Sequence, residues 1–166
     1  ITKSGEELKC PVKGCLRWVP RQRKTFRRED GFKCPDHKIF ISPSTFEYES
    51  LEDALLWKQD LALLEPIMSE KRECRMTRER REDALTWNVF RYLEMSSSIS
   101  IFFDLLGIKP HGEPSLFYWS YDPGTGRCWG PLNEARRVFK ERPKGGTEPD
   151  LIIKTGSELV IVEAKF

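Results

Sequence analysis

Near its end the chain sets an acid, a second acid and a lysine where two neighbouring strands would carry them: Asp150 after Glu148-Pro149, then Glu163 and Lys165 in Val162-Glu163-Ala164-Lys165. Leu151, Ile152 and Ile153 form a short apolar run, Lys154-Thr155-Gly156-Ser157 carries turn chemistry, and 158–166 is rich in β-branched residues, so the spacing predicts a β-hairpin. Strand side chains alternate faces, which puts Glu163 and Lys165 on one side and Val162 and Ala164 on the other. Asp150, at the mouth of the partner strand, can approach that pair. Two carboxylates beside an ammonium group can hold a hard divalent cation through oxygen, leaving the lysine to orient a water or steady negative charge. The plain alternative is a hairpin with an acid and a base on its solvated face.

This arrangement resembles the PD-(D/E)XK signature of the restriction-endonuclease-like nuclease superfamily, with Pro149-Asp150 as its first half and Glu163-Ala164-Lys165 as its second. The resemblance implies an α+β fold: a restriction-endonuclease-like mixed sheet core flanked by helices. It also implies a Mg²⁺- or Mn²⁺-dependent nuclease that hydrolyses phosphodiester bonds, with Asp150 and Glu163 as magnesium ligands and Lys165 positioning the attacking water. The family draws a further acid from a helix before the sheet. Residues 77–94 offer one, with Thr77 as N-cap and Ala84, Leu85, Asn88, Val89, Tyr92 and Leu93 at helical spacing. Glu82, on the face set by Leu85 and Val89, is the expected third carboxylate and metal ligand; Glu79, Asp83 and Glu94 compete. Any one of these is also readable as a solvated helix charge paired with an arginine four residues away. The family core continues beyond its Glu-x-Lys strand, so this chain is expected to be truncated at its C-terminus or completed by another polypeptide, with a sheet edge left open.

The amino-terminal quarter carries a second chemistry. Cys10 and Cys15 form a C-x4-C pair, Cys34 and His37 a C-x2-H pair, and the segment between is too polar to build its own core. Four such groups suit tetrahedral zinc, whose binding supplies the folding energy the segment lacks. The segment resembles a zinc ribbon or treble-clef knuckle. A disulfide is the competing reading, and the histidine in fourth place favours structural Zn²⁺. Cys74 and Cys128 remain as free buried thiols.

The chain has 166 residues and a net charge of +2. Its cations gather in three blocks: Arg21, Arg23, Lys24, Arg27 and Arg28; Lys71, Arg72, Arg75, Arg78, Arg80 and Arg81; and Arg136, Arg137, Lys140, Arg142 and Lys144. The last two lead into Glu82 and Asp150 and could line a phosphate-contacting groove, although a charge run is commonly a solvated face. The expected partner is nucleic acid, DNA ahead of RNA, with a protein partner or a homo-oligomer as further options. No signal peptide or membrane span is legible, so the expected setting is cytoplasmic.

Residues 1–48 therefore read as a zinc-ribbon-like module and 49–166 as a nuclease-like domain. Within the second, 50–65 reads as a helix with Leu51, Leu55, Leu61 and Leu64 inward and Pro66 at its end. Residues 99–106 read as a short helix, 116–121 as a strand and 132–141 as a helix; His111 has no assigned role. Two other classes fit the same residues: a non-catalytic nucleic-acid-binding or assembly module on this fold, and a zinc-stabilised protein-interaction domain.

Overall fold

The computed structural model describes residues 6–70, 76–78, 82–141 and 146–165 and shows a mixed α+β chain in which every strand pairing is antiparallel. The amino-terminal part holds two hairpins. Strand β1 (Glu7–Lys9) pairs with β2 (Trp18–Pro20), and β3 (Ile39–Ile41) pairs with β4 (Phe46–Tyr48). The second hairpin turns through Ser42, whose hydroxyl donates to the Thr45 carbonyl at 2.6 Å and accepts from the Thr45 amide at 2.9 Å, an ST-turn that fixes the register. Val19 and Ile41 bury with Cys10, Cys15 and Cys34 in a small cluster separate from the main core.

After two 3-10 turns, Glu52–Ala54 and Lys58–Asp60, come helices α1 (Leu61–Glu70), α2 (Glu82–Met95) and α3 (Ile99–Leu105). The helix expected at 50–65 thus begins later and runs through Pro66 instead of stopping there. Proline removes one bond to the carbonyl four residues back. That carbonyl belongs to exposed Ala62, where water can serve it, while Leu64 and Ile67 on the other side are almost completely buried.

The expected strand at 116–121 divides in two. Strand β5 (Ser115–Tyr118) ends at Trp119 and Ser120, both with positive φ, and the chain reverses into a small hairpin of β6 (Tyr121–Asp122) and β7 (Arg127–Cys128). Helix α4 (Gly130–Val138) follows, then β8 (Leu151–Lys154) and β9 (Leu159–Val162), which form the expected carboxyl-terminal hairpin. The sheet order is β5-β8-β9.

This sheet has two unlike faces. Leu151 and Ile153 enter the main core with Leu64, Ile67, Met76, Trp87, Phe103 and Tyr118, and Val160 and Val162 pack against it from β9. On the opposite face Phe117 meets Trp129 at a ring distance of 5.4 Å, whereas Ile161, paired with Ile152, is exposed. Helix α2 lays Ala84, Trp87, Phe90 and Arg91 inward, with Trp87 stacked nearly parallel on Trp119 at 6.0 Å. Arg91 follows its carbon stem into the core and closes a bidentate pair with buried Asp60 at 2.8 and 2.9 Å, so the charge is not left unpaired. Among the described residues no helix is long and apolar enough to cross a membrane.

Candidate metal centre and acidic site

The metal centre begins with two local turns. The Cys15 amide donates to the Val12 carbonyl at 3.0 Å, with Gly14 in between at φ +85°, a conformation that suits glycine. The Lys38 amide donates to the Cys34 carbonyl at 2.9 Å and the Cys34 amide to the Ile39 carbonyl at 2.8 Å, folding 34–38 into a knuckle at the start of β3. Cys10, Cys15, Cys34 and His37 are thereby gathered with one ligand atom each, all within 4.8 Å of one another. Cys15 Sγ lies 4.0 Å from Cys34 Sγ, and His37 Nδ1 lies 3.7 Å from both Cys10 Sγ and Cys34 Sγ. Tetrahedral coordination with metal–sulfur bonds of about 2.3 Å and metal–nitrogen bonds of about 2.0 Å requires edges of roughly 3.5–3.8 Å, so the quartet is nearly the right size. The three cysteines are free thiols, not a disulfide. Burial pushes the Cys10 thiol up to about 11. Cys34 is also buried, which alone would raise it, yet hydrogen bonds from the His37 side chain and the backbone of 36–37 bring it down to about 7. The set can bind a metal, and its donors are compatible with structural zinc.

The second site lies where β9 leaves the sheet beside α2. Asp150 is held at the entry to β8: its carbonyl accepts from the Trp119 amide at 3.1 Å and its Oδ2 from the Ala164 amide at 2.8 Å. Asp150 is thus fastened to the backbone between Glu163 and Lys165. Strand β9 ends at Val162, so Glu163 and Lys165, expected on one strand face, lie just beyond it; Lys165 Nζ is 3.2 Å from Glu163 Oε1. The Lys165 ammonium is held in its charged form first by Glu163 and then by the fields of Glu82 and Asp150. Glu82, Leu85, Thr86, Val89 and Phe90 from α2 and Ala164 and Lys165 from beyond β9 line one cavity of 180 Å³. Of the four residues singled out in the sequence, Glu82 and Lys165 line this cavity, while Asp150 is tied to its wall through the Ala164 amide and Glu163 through Lys165.

Several details differ from the sequence reading. Leu85 and Val89 are exposed, so the face they share with Glu82 borders the open cavity and not the packed core; Trp87 and Phe90 take the core side. Thr77 does not cap α2: its carbonyl accepts the Tyr48 amide at 2.8 Å. Glu94 is committed to Arg91 at 2.5 Å and to the Tyr118 hydroxyl at 3.3 Å, while Glu79 lies outside the described residues. Among the described residues, the cysteine–histidine quartet is the only group of three or more Cys, His, Asp or Glu side chains gathered to hold an ion; Glu82, Asp150 and Glu163 do not form another.

Among the described residues, several members of the basic blocks are bound within the protein. Arg28 and Arg78 bind buried Glu47, Arg27 pairs with Glu29, Arg136 donates twice to the Thr147 carbonyl, and Arg137 pairs with Glu134. Lys71, Arg72, Arg75, Arg80, Arg81, Arg142 and Lys144 lie outside the described residues, as does Cys74; Cys128 is half-buried and meets the Arg136 guanidinium at 3.5 Å. His111, given no role by the sequence, rests with Ser157 and Glu158 against the β8–β9 turn. Its partners have no local sequence signal, because they lie about half a domain away along the chain. Comparison with models of known families, with curated proteins and with solved structures finds no match.

Proposed function

We propose that the chain is a metal-dependent nuclease of the restriction-endonuclease-like class whose amino-terminal module is a structural zinc site. The observation that carries this reading is the bond from Ala164 to Asp150, which joins the two halves of the acid–acid–lysine motif, with Glu82 across the same cavity. Asp150, Glu163 and Glu82 would hold Mg²⁺ or Mn²⁺. The bound ion supplies Lewis-acid stabilisation of a phosphodiester and a more acidic water. Lys165 orients that water or donates to the phosphate oxygen on which charge develops.

The carboxylates must turn to close on an ion, and Glu163 must give up Lys165. That pair is exposed on both sides and screened by solvent, so it would offer little resistance to the carboxylate turning towards an ion. Lys165 would then be free to act on water or phosphate.

The test is cleavage of single- and double-stranded DNA and RNA by the full chain with Mg²⁺ or Mn²⁺, compared with Asp150→Ala, Glu163→Ala and Lys165→Ala. Each variant is expected to lose activity by about 10²-fold or more while nucleic-acid binding persists. Equal cutting by all three would exclude the assigned roles. A second reading, a non-catalytic binding or assembly module on the same fold, is favoured by the carboxylates of Glu82, Asp150 and Glu163, which among the described residues are not gathered to hold an ion. It would be supported by binding without cleavage under every metal tested.

A further inference from the structure

Two arginines from distant parts of the chain converge on one buried carboxylate. Glu47, on β4, receives Arg28 on Oε1 at 3.0 Å and Arg78 on Oε2 at 2.8 Å, and is only 4 % exposed. The same Arg78 forms an antiparallel bridge with Glu47, the Tyr48 amide donates to the Thr77 carbonyl, and the Arg78 guanidinium lies 5.5 Å over Phe26. Phe26 meets Phe40 edge-on at 5.9 Å, and Phe40 lies in β3, directly after the knuckle that carries Cys34 and His37. Residues 77 and 78 thus dock on the outer edge of β4 through one isolated β-bridge and one backbone hydrogen bond. One residue away from that contact, Met76 is buried in the main core.

We propose that Glu47 and Arg78 are positioning residues through which the metal module holds the amino end of α2, and with it Glu82. Only three residues separate Arg78 from Glu82, so the two lie at most about 14 Å apart along extended chain. Fixing Arg78 against β4 therefore restricts where the helix can begin. The link from the knuckle to Arg78 is made of packed rings, backbone hydrogen bonds and a doubly paired buried acid, each of which loses its geometry if 34–41 unfolds. Metal binding folds such segments. The structural consequence stands by itself; the catalytic consequence rests on the nuclease reading above.

Hydrogen exchange on the full chain separates the two. Amides of 86–90 are compared between zinc-loaded and chelator-treated protein, and among the parent, Glu47→Gln, Arg78→Lys and Arg78→Ala with zinc bound. The first helical amides are unbonded in any helix and are left aside. The expected result is exchange at 86–90 at least tenfold faster on zinc removal and in Arg78→Ala, partly restored in Arg78→Lys, while 151–154 stay protected. Unchanged exchange at 86–90 after zinc removal, or equal acceleration at 86–90 and 151–154, overturns the proposal. If the parent cuts nucleic acid, Arg78→Ala is further expected to lower kcat about tenfold with KM unchanged and to raise the Mg²⁺ concentration needed, with Arg78→Lys in between. A change in KM alone contradicts the positioning role. A parent that cuts nothing removes the nuclease reading, and the exchange result still decides the coupling.

Discussion

Asp150 Oδ2 accepts a hydrogen bond from the Ala164 amide at 2.8 Å, so the acid that opens β8 is tied to the backbone between Glu163 and Lys165. Asparagine can accept the same bond without the charge. Asp150→Asn is therefore expected to keep the stability of the parent within about 0.5–1.5 kcal/mol while losing metal-dependent cleavage. Asp150→Ala should add faster exchange at the 162–165 amides. If asparagine supports full cleavage, the carboxylate is a structural tie and not a metal ligand.

Cys10, Cys15, Cys34 and His37 are expected to bind about one equivalent of Zn²⁺ per chain, and Co²⁺ in its place should give the absorption of a tetrahedral thiolate site. Replacing Cys34 by Ser should abolish this signal and unfold 6–48 while leaving the β5-β8-β9 sheet protected. Cobalt binding without thiolate charge-transfer bands, or a tetrahedral signal that survives Cys34→Ser, would contradict the assignment.

The Asp60–Arg91 pair is buried and doubly bonded. Asp60→Ala leaves the guanidinium inside the protein with Glu94 as its remaining partner, and should destabilise by about 3 kcal/mol in denaturant unfolding. Combining it with Arg91→Met should recover most of that loss, because no buried charge is then stranded. A double variant no more stable than the single one would show that the pair contributes through geometry that methionine cannot replace.

Thr86 Oγ1, buried on the wall of the cavity beside Lys165, has no hydrogen-bond partner among the described residues. An unsatisfied buried hydroxyl costs about 1–3 kcal/mol, so Thr86→Val, nearly the same shape, is expected to raise stability by about 1 kcal/mol. Thermal unfolding decides the sign; a loss would mean that the hydroxyl is in fact bonded in solution.

Glu158 accepts from Ser157, from Thr155 and from the backbone and ring of His111, which bring its carboxyl down to about 2. A carboxyl depressed by folding stabilises fully above its ordinary value near 4.5 and loses that contribution as pH falls towards 2. The stability difference between the parent and Glu158→Gln should accordingly be constant above about pH 4.5 and shrink below it. A difference that does not change between pH 5 and pH 2 would assign the effect to the turn's shape and not to charge.

The metal quartet and the carboxyl-terminal hairpin were legible in the amino-acid sequence because their signals are local: paired ligands a few residues apart around Gly14 and Pro35, and two apolar β-branched runs flanking Thr155-Gly156-Ser157. The acidic motif could be read for the same reason, since Asp150, Glu163 and Lys165 lie on or beside one hairpin. The face of α2 could not. Leu85 and Val89 match helical spacing as well as Trp87 and Phe90 do, and the choice fell to Trp119 and Tyr118, which offer Trp87 close ring contacts from another element. Pro66 stayed within α1 because packing of Leu64 and Ile67 outweighs one missing helical bond. The basic residues divide likewise: composition sets their number, but whether Arg28, Arg78 and Arg136 meet solvent or a buried partner depends on acids and carbonyls at the other end of a loop. Local spacing is set by covalent geometry and turn chemistry, whereas the partner of a side chain is selected by which distant surfaces can exclude water together.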